Sequence, residues 1–223
     1  MKRGIEELIF NEGTAWEFLS EWIKEANNKV FVLEPLLDRG KEILNDLQIT
    51  NKSTLGSIAF QTGGMIVDNG WLKILGSGNE KICGDILTWN ALEGTMIKHR
   101  IEGALIVAYD VIGGFFAINA GAFSGPTKQM YYFAPERLEW EEMEFGYTDF
   151  INWALNGNLP LFYENFRWEN WEKDLSSLKD NEGFTFYPFI WTKGATDINK
   201  VQKSHVPIKE IWDIQQEFLK QMG

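Results

Sequence analysis

The stretch "TAWEFLSEWIKEA" (14–26) sets Trp16, Leu19, Ile23 and Ala26 at helical spacing, and Phe18 and Trp22 widen the apolar stripe. Thr14 followed by Glu17 has the form of a capping box, so a helix is predicted to open at Thr14. "KVFVLE", Lys29 to Glu34, reads as a short strand that Pro35 ends. From Asp38 the helical period returns in "DRGKEILNDL", with Ile43, Leu44 and Leu47 on one side in spite of Gly40.

Beyond that helix the period shifts to two. "SIAFQTGGMIVDNGWLKILGSG" is the clearest β signal: its runs "MIVD" and "WLKILG" flank Asn69-Gly70, a dipeptide suited to a two-residue hairpin turn. Alternation places Trp71, Lys73 and Leu75 on one face and Leu72, Ile74 and Gly76 on the other, with Gly63-Gly64 turning into the hairpin. Asn79 to Arg100 reads as a loop that carries Trp89, Leu92 and one helical turn. Further runs follow at Ala104–Tyr109, Phe115–Asn119, Met130–Phe133 and Leu138–Glu141. Their connections are too short for parallel crossovers, so the strands form a meander.

Helical spacing resumes in "YTDFINWAL", with Thr148 as N-cap and Asn156-Gly157 as the stop. "LPLFYENFRWENWEKDLSSL" reads as two helices meeting near Trp168. "TFYPFIWT" has strand composition but is broken by Pro188, which suits an edge or a loop. Pro207 opens a last helix in which Ile208, Ile211, Trp212, Gln215 and Leu219 share a face. The expectation is one α+β domain over 1–223, an antiparallel-dominated sheet flanked by N-terminal and C-terminal helices.

Charge narrows the partners. The chain carries 32 acidic against 21 basic residues, a net charge of −11, and shows no Lys/Arg cluster. A phosphate backbone is held by such clusters, so no nucleic acid is expected. An acidic surface steers a basic protein partner, and it also keeps a chain with ten tryptophans soluble. The basic start "MKRGIEELIF" lacks the apolar region of a signal peptide, and no apolar run nears the roughly 20 residues of a membrane helix. No membrane association is expected, and the protein reads as cytoplasmic.

Candidate chemistry is sparse. His99 and His205 are the only histidines and Cys83 the only cysteine, with no HExxH or CxxC spacing, so no metal is expected. Neither GxSxG nor a phosphate loop occurs, and no cofactor is expected. Glu139, Glu141, Glu142 and Glu144 lie along one strand and read as a solvated edge that resists strand-to-strand aggregation, not as a facing catalytic pair. Asp68 and Asp110 end strands beside turns, where a pocket could open or where each could cap its turn through backbone N–H groups. Trp71 is either an exposed anchor or a core ring. Gly113-Gly114 precedes "FFAI", which has strand composition, so this pair supplies a hairpin connection and not a phosphate cradle.

The segments "LGSIAFQTGGMIVDNGWLKILGSG", "ALIVAYDVIGGFFAINAG", "MYYFAPERLEWEEM" and "YTDFINWAL" closely resemble a bacterial family known only as a domain of unknown function. The likeness continues through "LPLFYENFRWENW" and "FTFYPFIWT" and so covers nearly the whole chain. A more distant resemblance is to the SUKH superfamily of yeast cell-wall regulators and their bacterial relatives. Gly63-Gly64, Asp110 with Gly113-Gly114, Tyr131 to Glu136, and Phe150-Ile151 carry it. Ala134 departs from the Asp common there, and a helical C-terminal extension, about 157–223, follows a SUKH-like core of about 14–156. The resemblance implies a non-catalytic interaction domain, in its sharpest form an immunity protein that neutralises a toxin, often a nuclease. A basic protein partner such as a toxin follows from it. The alternative is a small-molecule binder or acid-based enzyme with a pocket at the sheet edge near Asp68 and Asp110.

Overall fold

The computed structural model describes residues 2–92 and 98–222. Its centre is an antiparallel meander of seven strands, ordered in space as in sequence. These are β1 (Val30–Leu33), β2 (Gly64–Val67), β3 (Leu72–Leu75), β4 (Ala104–Asp110), β5 (Phe115–Asn119), β6 (Gln129–Ala134) and β7 (Glu139–Gly146). The helices are α1 (Trp16–Lys24), α2 (Leu37–Leu47), α3 (Thr54–Gln61), α4 (Ile86–Trp89), α5 (Tyr147–Asn156), α6 (Leu159–Phe162), α7 (Trp171–Leu175) and α8 (Ile208–Met222). A separate hairpin pairs β8 (Glu182–Tyr187) with β9 (Gln202–Pro207). The expected α+β class, with an antiparallel sheet and helices at both ends, is the class observed.

Both faces of the sheet are covered, which is why its strands read as nearly continuous apolar runs. On one face Met65, Val67, Ile74, Phe116 and Tyr132 pack with Leu19 of α1, Phe150 and Ala154 of α5, and Trp168 and Phe184 further on. On the other, Leu75, Tyr109, Phe115 and Phe133 meet Ile43 of α2, Trp89 of α4, and Ile208 and Trp212 of α8. Buried aromatic rings supply much of the apolar area taken out of water.

Several local expectations need correction. "SIAFQ" belongs to helix α3, not to the β region. Ser53 caps it, its Oγ accepting from Gly56 N–H at 3.1 Å. α1 starts at Trp16, and only half of the box forms: the Glu17 carboxylate accepts from the N–H of Gly13 at 2.7 Å and of Thr14 at 3.3 Å. The N-cap of α5 is Gly146, while Thr148 lies inside the helix and bonds Thr54 through the two hydroxyls at 2.7 Å. β7 runs on to Gly146, β9 was not foreseen, and Pro207 ends β9 immediately before α8. The single turn expected within Asn79–Arg100 is α4, capped by Asp85; residues 93–97 of that stretch lie outside the described residues.

The β2–β3 connection has four residues instead of two, since Val67 pairs with Leu72. Asp68, Asn69 and Gly70 take φ of 53°, 58° and 102°, a left-handed run that Asp, Asn and Gly tolerate better than other residues. Trp71 therefore belongs to the turn, and the alternation of faces starts at Leu72.

α3 offers a direct check of the fold. A Cβ on Gly56 would collide with the carbonyl of Thr50, a backbone group that cannot swing aside. Gly56→Ala should destabilise the protein by about 1–3 kcal/mol through overpacking, although alanine is ordinarily favoured inside a helix by about 1 kcal/mol. Urea melts would measure this; an unchanged or raised midpoint contradicts the close approach.

Candidate functional site

Asp110, the last residue of β4, is fully buried. Its Oδ1 accepts the N–H of Gly114 at 2.7 Å and of Ile112 at 3.1 Å, and the Tyr132 hydroxyl donates to Oδ2 at 3.0 Å. Gly114 has to be glycine here, because a Cβ would land on that same oxygen and on the Tyr132 hydroxyl. The Gln215 side chain of α8 closes the turn by donating to Gly113 O at 2.9 Å. Burial raises the Asp110 carboxyl from an ordinary 3.8 to about 6, against the opposing pull of its hydrogen bonds. Of the two roles weighed for Asp110, the structure shows the turn cap.

Asp68 forms an ion pair with Arg167, 99 residues further along the chain. The Arg167 guanidinium lies over three rings: Trp171 at 4.4 Å, Trp71 at 5.1 Å and Tyr163 at 5.7 Å. Such stacking with a carboxylate on the edge suits the flat, weakly hydrated guanidinium. Trp71 is fully buried and edge-on to Trp171 and Tyr163, so it is a core ring and not an exposed anchor. Tyr163 joins the two halves: its ring is beneath Arg167, and its hydroxyl is close enough to feel the charge of Asp110. The structure thus gathers Asp68, Trp71 and Asp110 into one seam beside the segment that follows α5, with Trp71 and Asp110 fully buried and Asp68 partly exposed. None of the three lines the open cleft beside Tyr132.

An open cleft lies on the other side of Tyr132, with a volume of about 700 Å³. Glu136 and Arg137, from the β6–β7 turn, and Glu141 of β7 form one wall. Phe162, Asn165 and Phe166 form a second, and residues 190–198 a third. The turn is fixed by Arg137 and Leu138 N–H groups donating to Ala134 O. Arg137 is exposed and pairs with Glu141 at 2.8 Å. Glu136 is part-buried, and its Oε2 is shielded from water with no hydrogen-bond partner. Desolvation raises its pKa first, its own backbone N–H pulls it back, Glu141 adds to the rise, and Arg137 opposes it. The cleft thus carries two carboxylates and one cation, and that cation is held on Glu141.

The edge reading of the acidic run holds for Glu139, Glu142 and Glu144, which are exposed on the terminal strand, whereas Glu141 contributes to the cleft. Cys83 is part-buried, and burial pushes its thiol up, as expected of a small packing residue. Among the described residues, no three His, Cys, Asp or Glu side chains come together as metal ligands.

Residues 5–211 match the model of a family described as "Protein of unknown function DUF2625". The chain belongs to the DUF2625 family. It is 37% identical over 215 residues to the "Putative uncharacterized protein YbfG" of Escherichia coli (strain K12), covering 96% of this chain and 95% of that protein. It is also 34% identical over 205 residues to an "Uncharacterized protein" of Haemophilus influenzae, covering 92% and 90% respectively. The DUF2625 span takes in the β6–β7 turn and the segment after α5, so every wall of the cleft lies within it. The expected kinship with a bacterial domain of unknown function is therefore shown.

Asp110 makes a pH prediction. Between about pH 4 and 6 the folded chain keeps a proton on Asp110 that the unfolded chain releases. Its contribution to stability is complete below the unfolded value and is lost as pH rises through about 6. The stability of the wild type relative to Asp110→Asn should thus fall by about 2–3 kcal/mol from about pH 4 to about pH 7. Paired urea melts would show it; a difference that does not change with pH contradicts the assignment.

Proposed function

We propose that this protein is a non-catalytic interaction protein that takes a basic surface of a partner protein into the cleft beside the β6–β7 turn. One observation carries the reading: the cleft is lined by two carboxylates, Glu136 and Glu141, against one cation, Arg137, which is held on Glu141. The net charge of −11 favours encounter with a basic surface. In its sharper form the partner is a toxin whose basic active-site groove this protein covers. The SUKH-like residues Gly63-Gly64, Asp110 with Gly113-Gly114, and Tyr131 to Glu136 support that form. An acid-based enzyme or small-molecule site at Asp68 and Asp110 is the less favoured reading, since Asp110 is fully buried and Asp68 is spent on Arg167.

Affinity capture from the native organism would identify the partner, which is then titrated against the wild type and a Glu136→Gln/Glu141→Gln variant. The account expects binding at least about 10-fold weaker in the variant, the scale of one lost charge-assisted hydrogen bond. Equal affinities would place the partner elsewhere and overturn the reading.

A further inference from the structure

We infer that this protein forms a two-fold dimer in which the edge strand β1 adds antiparallel to β1 of a second copy, Phe31 against Phe31. β1 ends the seven-strand sheet and, among the described residues, pairs only with β2. Lys29 O and Leu33 O accept from the N–H of Asp68 and Gly63, so the odd-numbered residues turn their backbone groups toward β2. By alternation Val30 and Val32 turn theirs outward, where they meet no partner among the described residues. The open stretch is closed at both ends. At Asn28 the N–H donates to Leu155 O at 2.9 Å and the side chain to Ala154 O and Gly157 O, so the end of α5 lies there. At Glu34 the carbonyl accepts from the Asn79 side chain at 3.1 Å, and Leu36 N–H then donates to Ser77 Oγ. The chain has turned in toward its own sheet.

What remains open is the N–H and C=O of Val30 and of Val32, placed symmetrically about Phe31. An antiparallel copy satisfies all of them in one register. Val30 of each copy faces Val32 of the other, and the two Phe31 meet across the axis as the closer, non-hydrogen-bonded pair. Moving the register along either way would call on the Asn28 N–H or the Glu34 carbonyl, both already taken. A longer strand from another protein would run into the end of α5, whereas the inward turn at Glu34 lets a second copy clear it. The side chains favour the same pairing. Phe31 is 55% exposed, and Leu36 and Leu37, at 54% and 56%, follow where α2 begins. Large apolar side chains left open so close together are what a partner surface covers. β1 lies at the opposite end of the sheet from β7, whose Glu141 lines the cleft, so this inference does not depend on the cleft.

Sedimentation velocity on the full chain is the test. The wild type should pass from monomer to dimer with a Kd of about 100 μM or tighter. Phe31→Glu sets like charges against each other on the axis and should weaken the dimer at least about 10-fold. Tyr187→Glu, at an exposed ring on β8, should leave it unchanged. Phe31→Cys adds a readout that is a gain and not a loss. Oxidised with diamide, its new thiols should join across the axis, as the spacing of a non-hydrogen-bonded pair allows, at least about 10-fold faster than those of Tyr187→Cys. A wild type with no dimer at about 100 μM overturns the inference. So does a Phe31→Glu variant that dimerises like the wild type, or a Phe31→Cys variant that cross-links no faster than Tyr187→Cys.

Discussion

A carboxylate with no access to water organises this protein. A buried charge is costly in a low-dielectric interior unless donors meet it, so the groups around Asp110 cannot be chosen independently. The N–H groups of Ile112 and Gly114 require the tight β4–β5 turn, and the Tyr132 hydroxyl requires β6 at its present register. The absence of a side chain at Gly114 is what lets the two elements close over the acid. Tyr132 also lines the cleft. The packing that satisfies Asp110 therefore fixes one boundary of the cleft.

The second boundary depends on a different polar contact. The segment after α5 has only two short helices, α6 and α7, too short to hold themselves in place. It is held instead by rings and by the Asp68–Arg167 pair, with Trp71 and Tyr163 filling the space between that pair and Asp110. An ion pair set in an aromatic enclosure has little to gain in packing energy over apolar residues of similar size. Its effect is to fix where the segment lies, and that position places Phe162 and Phe166 in the lining of the cleft with Glu136.

The parts of the fold legible in the sequence are those whose pattern is local. α1 and α8 show their stripes, and the meander shows its short connections and apolar runs. α3 was missed because Thr54, Gly56, Ser57, Ile58 and Ala59 are all buried, so no polar face marks its period; the Ser53 cap was the signal available. β9 was missed because "QKSHVP" is largely exposed and pairs only with β8. At the site, Asp68 and Asp110 stood out for their turns, and both turn out to hold the structure together. Glu136 was visible only as one letter of "YYFAPE". It enters the cleft only because Phe162, Phe166 and Ile198, far along the chain, line the same space, which no local spacing records.

The account stands on the Asp68–Arg167 pair holding the segment after α5 against the sheet, and native-state hydrogen exchange on Arg167→Ala tests that most directly. Removing the guanidinium leaves the Asp68 carboxylate uncompensated beneath the rings, a loss of roughly 3–5 kcal/mol for a buried pair and less for this partly shielded one. The account predicts faster exchange at the Tyr163 and Phe166 amides, which bond to Leu159 O and Tyr163 O. The Gly114 amide on Asp110 should keep its protection relative to the global unfolding limit. Unchanged exchange at Tyr163 and Phe166, or loss of protection spread evenly through the sheet, would contradict it.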